Sequence, residues 1–457
     1  MNIIICGAGR VGFTIAKLLG DQNHSVTVID QSSEDIQKIN ETLDVKAIVG
    51  KATSPAILEK ANISEANMII AVTRNDEINM LICQIAYSLF KIPKKIARIR
   101  SQEYLDPKFS QLFNKENLPI DFVISPEIEI AKSIHRKLES PGASDNVPFA
   151  NNNIRLLEIL VDERCPIFNI KLNELTNKFP KLNANILGVV RDNEFIFLKK
   201  NDVMKKNDKV YVTINASQIQ DTLEAFGHND PISKKILLIG GGNIGYNLAK
   251  YIEASQNDTR LKIIEKNKER AEFLASELSN TIVINGDGLD EEVLKEANLE
   301  ETETVIALTN DDEDNLMVGV LVEKFSQNKR TMVLTTKPNY SLLQSSLKID
   351  DLIDPRMSTV SSILKHVHKG TIESAYSILN GEYEVIEAEI IETSDLVNKE
   401  LKNADLPDEI KIGAVLRGKD VIIPRSNYIF KKNDVVVFLV KKDQIPLVEN
   451  IFRISSV

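Results

Sequence analysis

MNIIICGAGRVGFTIAKLLG (residues 1–20) and KKILLIGGGNIGYNLAKYIE (residues 234–253) are two versions of one pattern. In each, a short apolar run leads into closely spaced glycines, and the glycines open a helix-like stretch. The glycines are Gly7, Gly9 and Gly12 in the first copy and Gly240, Gly242 and Gly245 in the second. The first of each set permits a tight turn, the second lets a pyrophosphate approach the backbone, and the third lets helix pack on strand. Phosphates held there face the unpaired N–H groups of a helix N-terminus. An acid closes the following apolar run in both copies: Asp30, 18 residues after Gly12, and Glu265, 20 residues after Gly245. A carboxylate at that place accepts hydrogen bonds from ribose hydroxyls and repels a 2′-phosphate, which favours NAD or an adenosine di- or triphosphate over NADP.

The duplication extends well beyond the fingers. GKATSPAILEKANI (50–63) matches GDGLDEEVLKEANL (286–299) at an offset of 236, and AVTRNDEINM (71–80) matches ALTNDDEDNL (307–316) at the same offset, with five of ten positions identical. Tyr104 falls on Tyr340. In the first half, β-branched runs at Asn2–Cys6, Ser25–Ile29, Lys46–Val49, Met68–Val72, Ile96–Ile99 and Phe122–Ile124 alternate with amphipathic helical patterns. That alternation predicts a doubly wound parallel sheet. The helix after the fourth run is expected to bury Ile78, Leu81, Ile82, Ile85 and Leu89, and TRNDE supplies its N-terminal caps.

After each such unit the texture changes. ESPGASDNVPFANNN (139–153) reads as a linker. Alternating strands with tight polar turns then follow, and the pattern returns at the end of the chain, with Lys206-Asn207-Asp208 equivalent to Lys432-Asn433-Asp434. The expected fold is α/β: two tandem Rossmann-like domains, each followed by a small β-rich lobe. The expected boundaries are a nucleotide-binding lobe at 1–138, the linker at 139–153, a β-rich lobe at 154–228, a second nucleotide-binding lobe at 232–369 and a second β-rich lobe at 370–457.

Composition bounds the function. A formal net charge of −10 gives nucleic acid no overall attraction to the molecule. Three cysteines, Cys6, Cys83 and Cys165, show no paired spacing and read as reduced, and so cytoplasmic. A strand starting at residue 2 leaves no room for a signal peptide, and no apolar run reaches the roughly 18–20 residues a membrane helix needs.

The two candidate sites are expected to differ in charge. Arg10, Lys51, Arg74 and Arg98 of the first correspond to Asn243, Asp287, Asn310 and Leu334 of the second. Four cations against none predict the more anionic ligand at the first site. A reaction centre is not legible. Tyr87…Lys91 and Tyr246…Lys250 have the spacing of a short-chain dehydrogenase pair, but the second lies on the finger helix itself and the first ends the helix after the fourth run, and both read as solvated helix residues. His366-x-His368 diverges on a helix and makes a poor metal site. The residues favour binding without chemistry. A nicotinamide-dependent oxidoreductase and a stand-alone nucleotide sensor of another transporter remain the alternatives.

The segments IIICGAGRVG, AVTRNDEINMLICQIAYSLF, IARIRS, DFVISPE, LIGGGNIG, ALTNDDEDN and IGAVLRGKDVIIP together resemble the TrkA family, cytoplasmic regulatory subunits of bacterial Trk potassium uptake systems. The resemblance spans both halves. It implies two RCK units per chain, a homo-oligomeric ring of two or four chains, and a membrane-embedded channel-like partner that holds the ring at the cytoplasmic face of the inner membrane. It also implies NAD(H) as ligand, with ATP or ADP as further candidates. By position, Gly7, Ala8, Gly9, Arg10, Val11, Asp30, Thr73, Arg74 and Arg98 match the family's first nucleotide site. Gly240, Gly241, Gly242, Asn243, Ile244, Glu265, Thr309 and Asn310 match the second. Lys51 in GKAT, where the second half has Asp287, departs from the usual pattern.

Overall fold

In the computed structural model the described residues are 1–22, 24–163, 165–179, 182–255, 258–325, 329–355, 360, 362, 363, 366, 372–407 and 409–452. The chain opens with strands β1 (Asn2–Cys6), β2 (Ser25–Asp30), β3 (Lys46–Val49), β4 (Met68–Ala71), β5 (Lys94–Arg98) and β6 (Phe122–Ile124). Between them run helices α1 (Arg10–Asp21), α2 (Ser33–Thr42), α3 (Pro55–Lys60), α4 (Asp76–Phe90) and the short α5 (Gln102–Leu105), with α6 (Pro126–Glu139) after β6. The sheet order β3-β2-β1-β4-β5-β6, parallel throughout, is that of a dinucleotide-binding fold. Helices cover both faces, so the central strands are buried on both sides: Ile3–Cys6 and Met68–Ala71 are all inaccessible to solvent.

A five-stranded antiparallel sheet follows, made of β7 (Ala143–Phe149), β8 (Ile154–Leu160), β9 (Ala184–Arg191), β10 (Glu194–Ile196) and β11 (Lys209–Asn215), with α7 (Leu172–Lys178) and α8 (Ile219–Ala225) beside it. The architecture then repeats. Strands β12 (Lys235–Ile239), β13 (Arg260–Glu265), β14 (Ile282–Asn285), β15 (Thr304–Ala307), β16 (Arg330–Leu334) and β17 (Asp351–Ile353) form the second parallel sheet. Helices α9 (Asn243–Ala254), α10 (Lys268–Glu277), α11 (Glu291–Glu296) and α12 (Asp312–Phe325) connect them. Strands β18 (Ile372–Ile378), β19 (Tyr383–Glu389), β20 (Ile410–Arg417), β21 (Asp420–Ile422) and β22 (Val435–Lys441) form the second antiparallel sheet. The α/β class read from the sequence holds in both halves.

Two compact units result, one of Met1–Lys132 with Ser233–Ile363 and one of Ser133–Ile232 with Leu364–Val457. The first joins the two parallel-sheet lobes. The second joins the two antiparallel sheets through a shared apolar layer that includes Phe149, Leu187, Val385 and Leu439. Asn185 closes that seam by donating from Nδ2 to the Ile412 carbonyl at 2.9 Å, and Tyr376 does so through its hydroxyl to Asp145 Oδ2 at 2.9 Å. Within each β-rich lobe a buried carboxylate is gripped by a guanidinium. Arg191 Nε and Nη2 reach Asp208 at 2.7 Å each, and Arg417 Nε and Nη2 reach Asp434 at 2.7 Å each. These are the equivalent Lys-Asn-Asp turns, with Asn207 and Asn433 at φ 68° and 67°.

Two sequence expectations need correction. The supposed linker at 139–153 contains the last residue of α6 and all of β7, paired antiparallel with β8. Pro148 is tolerated because β7 is an edge strand, and a register shift between Ala143 and Asp145 absorbs the irregular start. The buried face of α4 is also rotated from the expected one. It presents Asn79, Ile82, Cys83 and Ala86 to the sheet, leaving Leu81 48% and Leu89 60% exposed. The cause is polar: Asn79, fully buried, has to reach Thr73 and the Arg98 carbonyl.

Candidate functional site

Each finger is built from two kinds of glycine. Gly7 has φ +117°, and a Cβ there meets the Val72 carbonyl oxygen at 2.9 Å. A Cβ on Gly12 meets the Gly7 carbonyl oxygen at 1.9 Å. Gly240 (φ +105°) and Gly245 repeat this, with 2.8 Å to the Leu308 carbonyl oxygen and 2.3 Å to that of Gly240. These four are glycine because the fold leaves no room for anything larger. Gly9 and Gly242, the N-caps of α1 and α9, are different: a Cβ on either meets nothing within 4 Å. Neither cap has a side chain to satisfy the first helical N–H groups, so those donors face open space.

The acid at the end of the second strand holds each finger. Asp30 accepts from Ala8 N at 2.6 Å and from Ser32 N at 2.9 Å. Glu265 accepts from Gly241 N at 2.7 Å and Asn267 N at 2.8 Å. Each carboxylate oxygen takes one backbone N–H and has a further lone pair able to accept. Thr73 and Thr309 are fixed in the same symmetric way. Asn79 Oδ1 accepts from Thr73 N (2.9 Å) and Oγ1 (2.7 Å), while Asn315 Oδ1 accepts from Thr309 N (2.9 Å) and Oγ1 (2.8 Å).

Both fingers open on one cavity of ≈ 1600 Å³ within the first unit. Gly7, Gly9, Arg10, Val11 and Asp30 line it together with Thr73, Arg74 and Arg98. From the second half come Gly240, Gly242, Asn243, Ile244 and Glu265, with Asp287, Thr309 and Asn310. Ala8, Gly12, Gly241 and Gly245 stand behind this surface as parts of the turns. Burial pushes the Arg98 guanidinium below its ordinary pKa, and its Nε is buried without a hydrogen-bond partner among the described residues. Such a donor in a cavity wall fits an anionic ligand.

Lys51 does not join this wall. Residues 51–54 form a turn, closed by Ser54 N to the Lys51 carbonyl at 2.9 Å, that exposes Lys51 and turns Ala52 inward. The contrast of four cations against none also fails at the second site. Lys266 and Arg270 line the cavity there, and Lys266 pairs with Asp287 at 2.8 Å. Arg270 donates from Nε to the Gly241 carbonyl at 2.8 Å. Sequence comparison missed it because its counterpart in the first half is an acid, Asp35; its one local signal is the Asn267 cap, which accepts from Arg270 N at 2.9 Å. Arg100 and Glu127 also line the cavity and pair at 2.9 Å.

The Tyr–Lys pairs lie on the expected helices, although Tyr246 is buried and not solvated. Lys250 Nζ sits over the Tyr246 ring at 4.4 Å on the finger helix, and Lys91 Nζ over Tyr87 at 5.0 Å at the end of α4. His366 is in a turn and His368 lies outside the described residues. Among the described residues no three His, Cys, Asp or Glu side chains group to hold a metal ion, and no helix is long and apolar enough to cross a membrane.

The fold and site define a class: doubled Rossmann-type lobes alternating with small antiparallel lobes. The TrkA-N domain model matches residues 3–126 and 236–355, and the TrkA-C domain model matches 156–227 and 385–453. The chain belongs to the TrkA family. It is 39% identical to the Trk system potassium uptake protein TrkA of Azorhizobium caulinodans, covering 100% of this chain and 99% of that one. It is 34% identical to that of Haemophilus influenzae over 100% and 99%, and 32% identical to TrkA homolog 1 of Methanosarcina mazei over 99% and 100%. Among solved structures, the GsuK RCK domain superposes with a TM-score of 0.60 at 17% identity, over 99% of this chain and 95% of that one. The GsuK channel bound to NAD gives the same TM-score and identity over 99% and 79%. At that identity the likeness concerns the fold.

Proposed function

We propose that the chain is the nucleotide-sensing regulatory subunit of a Trk-type potassium uptake system, acting by binding and not by catalysis. NAD(H) or an adenosine di- or triphosphate occupies the fingers. Its phosphates lie against the open N-termini at Gly9 and Gly242, and its ribose hydroxyls donate to Asp30 and Glu265. Arg10, Arg74 and Arg98 take the phosphate charge at the first site. Chains assemble into a ring on the cytoplasmic side of a membrane-embedded channel-like subunit. A nucleotide that binds one arrangement of the lobes better shifts the population toward it and so changes potassium flow.

The observation that carries this reading is the single cavity walled by both fingers, in a chain whose full-length relatives are named potassium uptake proteins. A ligand there touches two lobes at once and bears on their relative position. The test is initial potassium uptake in cells lacking the chain, complemented by wild type or by Gly9→Asp. Restoration by wild type and failure of stably expressed Gly9→Asp support it. Unchanged uptake in the deletion strain, with no second copy present, would sink it.

A further inference from the structure

The two sites share a backbone and place their charge at opposite ends. At the phosphate end the first site has Arg10, Arg74 and Arg98, where the second has Asn243, Asn310 and Leu334. At the ribose end the order reverses. Beside Asp30 the first site has Gln31 and Asp35; beside Glu265 the second has Lys266 and Arg270. The N-caps Ser32 and Asn267 set this register, since they start α2 and α10 at equivalent points. The ribose corner therefore holds two carboxylates and no cation in the first site; in the second, Lys266 is paired with Asp287 at 2.8 Å, which leaves Arg270 as the cation beside Glu265.

We infer that the second site is built for an adenine nucleotide carrying a phosphate on its ribose, the class of NADP(H), and that Arg270 is the residue that selects it. The inference rests on the reading of the fingers as nucleotide sites. It reverses, for this site alone, the expectation drawn from the acid at the end of the strand.

Arg270 is held ready for that task. Its guanidinium carbon lies 4.8 Å from the centroid of the Phe273 ring and 5.6 Å from that of Tyr246, and its Nε is fixed on the Gly241 carbonyl. Gly241 is also the residue whose N–H binds Glu265, so Arg270 and the ribose-binding acid meet on one residue, through its two successive peptide groups. Of the two terminal nitrogens, Nη2 stands 3.5 Å from Asn243 Oδ1, the outer limit of a hydrogen bond, and Nη1 has no partner among the described residues. A guanidinium pinned on one edge and open on the other presents its free donors to an oxyanion at little ordering cost. Glu265 has both oxygens engaged by backbone N–H groups, and Arg270 stands next to it, so its repulsion of a phosphate is reduced. The first site lacks this compensation because Asp35 occupies the Arg270 position.

The full chain carrying Gly9→Asp, whose Cβ meets nothing within 4 Å and whose carboxylate repels phosphate from the first site, is titrated with NADPH and NADH, following nicotinamide fluorescence. NADPH is expected to bind about tenfold or more tighter than NADH, and Arg270→Asp or the milder Arg270→Gln to abolish the preference. In the converse background, Gly242→Asp, Asp35→Arg is expected to raise NADPH affinity at the first site. Equal affinity for the two dinucleotides in Gly9→Asp, or an Arg270 change that weakens both alike, overturns the inference and leaves the nucleotide reading intact. If wild type binds neither dinucleotide nor ATP, both fall together. Thermal unfolding of each variant separates loss of binding from loss of fold.

Discussion

Arg10, the fourth residue of the first finger, hydrogen-bonds into the other parallel-sheet lobe: its Nη1 donates to the Thr336 hydroxyl at 2.6 Å. Thr336 is itself committed. Its hydroxyl donates to Asp312 Oδ2 at 2.9 Å, and its N–H lies 3.0 Å from both oxygens of that carboxylate, which heads α12. The side chain proposed to meet phosphate at the first site is thus also a strut between lobes. An anion bound there competes with Thr336 for Arg10.

Thr336→Val removes the acceptor while preserving shape, and frees Arg10 for the ligand. The expected result, read by ATP titration in the Gly242→Asp background, is an affinity about three- to tenfold higher than with Thr336 present. Arg10→Met is expected to abolish the difference between the two backgrounds. An affinity indifferent to Thr336 would mean that Arg10 does not exchange partners.

The buried asparagines offer a stability test. Asn79 Nδ2 donates to the Arg98 carbonyl at 2.9 Å while Oδ1 receives Thr73, and Asn315 repeats this with Leu334 and Thr309. Replacing either by alanine strands buried donors and acceptors, at a cost of about 1–3 kcal/mol. Chemical denaturation is expected to report a loss of that size. Asn79→Ala should also weaken ATP binding at the first site, since Thr73 and the β5 end that carries Arg98 lose their tether.

These features show what a sequence can and cannot disclose. The parallel sheets are legible because their strands are continuous β-branched runs, and the finger glycines are legible because backbone contacts of 1.9–2.9 Å admit no other residue. Strand β7 is not, since Pro148 and its turn residues look like a linker until the edge position that tolerates them is known. The face of α4 was misread because apolar residues occur on several of its sides and a single polar one, Asn79, decides which side turns inward. Arg270 was invisible to a comparison of halves, because only the folded register sets it against Gly241. Lys51 shows the reverse: a cation in the right segment that a turn points outward.

Acid should weaken the second β-rich lobe through Asp434. Burial alone would raise this carboxyl, but hydrogen bonds from Arg417, Lys431 N and the Tyr428 hydroxyl outweigh it and hold the pKa below the usual carboxylate value. A group whose folded pKa is depressed contributes stability that is complete above its unfolded value, about 3.9, and is lost as pH falls through the folded one. Asp434→Asn is therefore expected to cost stability between pH 5 and 8 and to differ progressively less from wild type below about pH 4. Denaturation midpoints across that range provide the check. A constant difference would exclude the linkage.

The ring proposed above needs surfaces to close it, and α4 and α12 leave matching ones. Leu81 and Leu89 are 48% and 60% exposed, and their repeat counterparts Met317 and Phe325 are 49% and 38% exposed. Apolar faces of this kind mark association surfaces. Leu89→Asp and Phe325→Asp each place a charge there without touching the core. Light scattering is expected to show smaller assemblies for both, with nucleotide binding to isolated chains retained. An unchanged mass would place the ring contacts elsewhere.

The finger glycines separate fold from function within a span of four residues. A Cβ at Gly12 sits 1.9 Å from the Gly7 carbonyl oxygen, which belongs to backbone that cannot yield, so Gly12→Ala has to push α1 off the sheet. Gly9→Ala meets nothing within 4 Å and costs the fold little, yet it fills the space where a phosphate would approach the N-terminus of α1. Thermal unfolding should therefore show Gly12→Ala clearly destabilised and Gly9→Ala close to wild type, while ATP titration in the Gly242→Asp background should show Gly9→Ala weakened about tenfold or more. If Gly9→Ala binds as wild type does, the open space before α1 is not where the phosphates lie. If it unfolds as Gly12→Ala does, the glycine serves the backbone and the finger loses its division of labour.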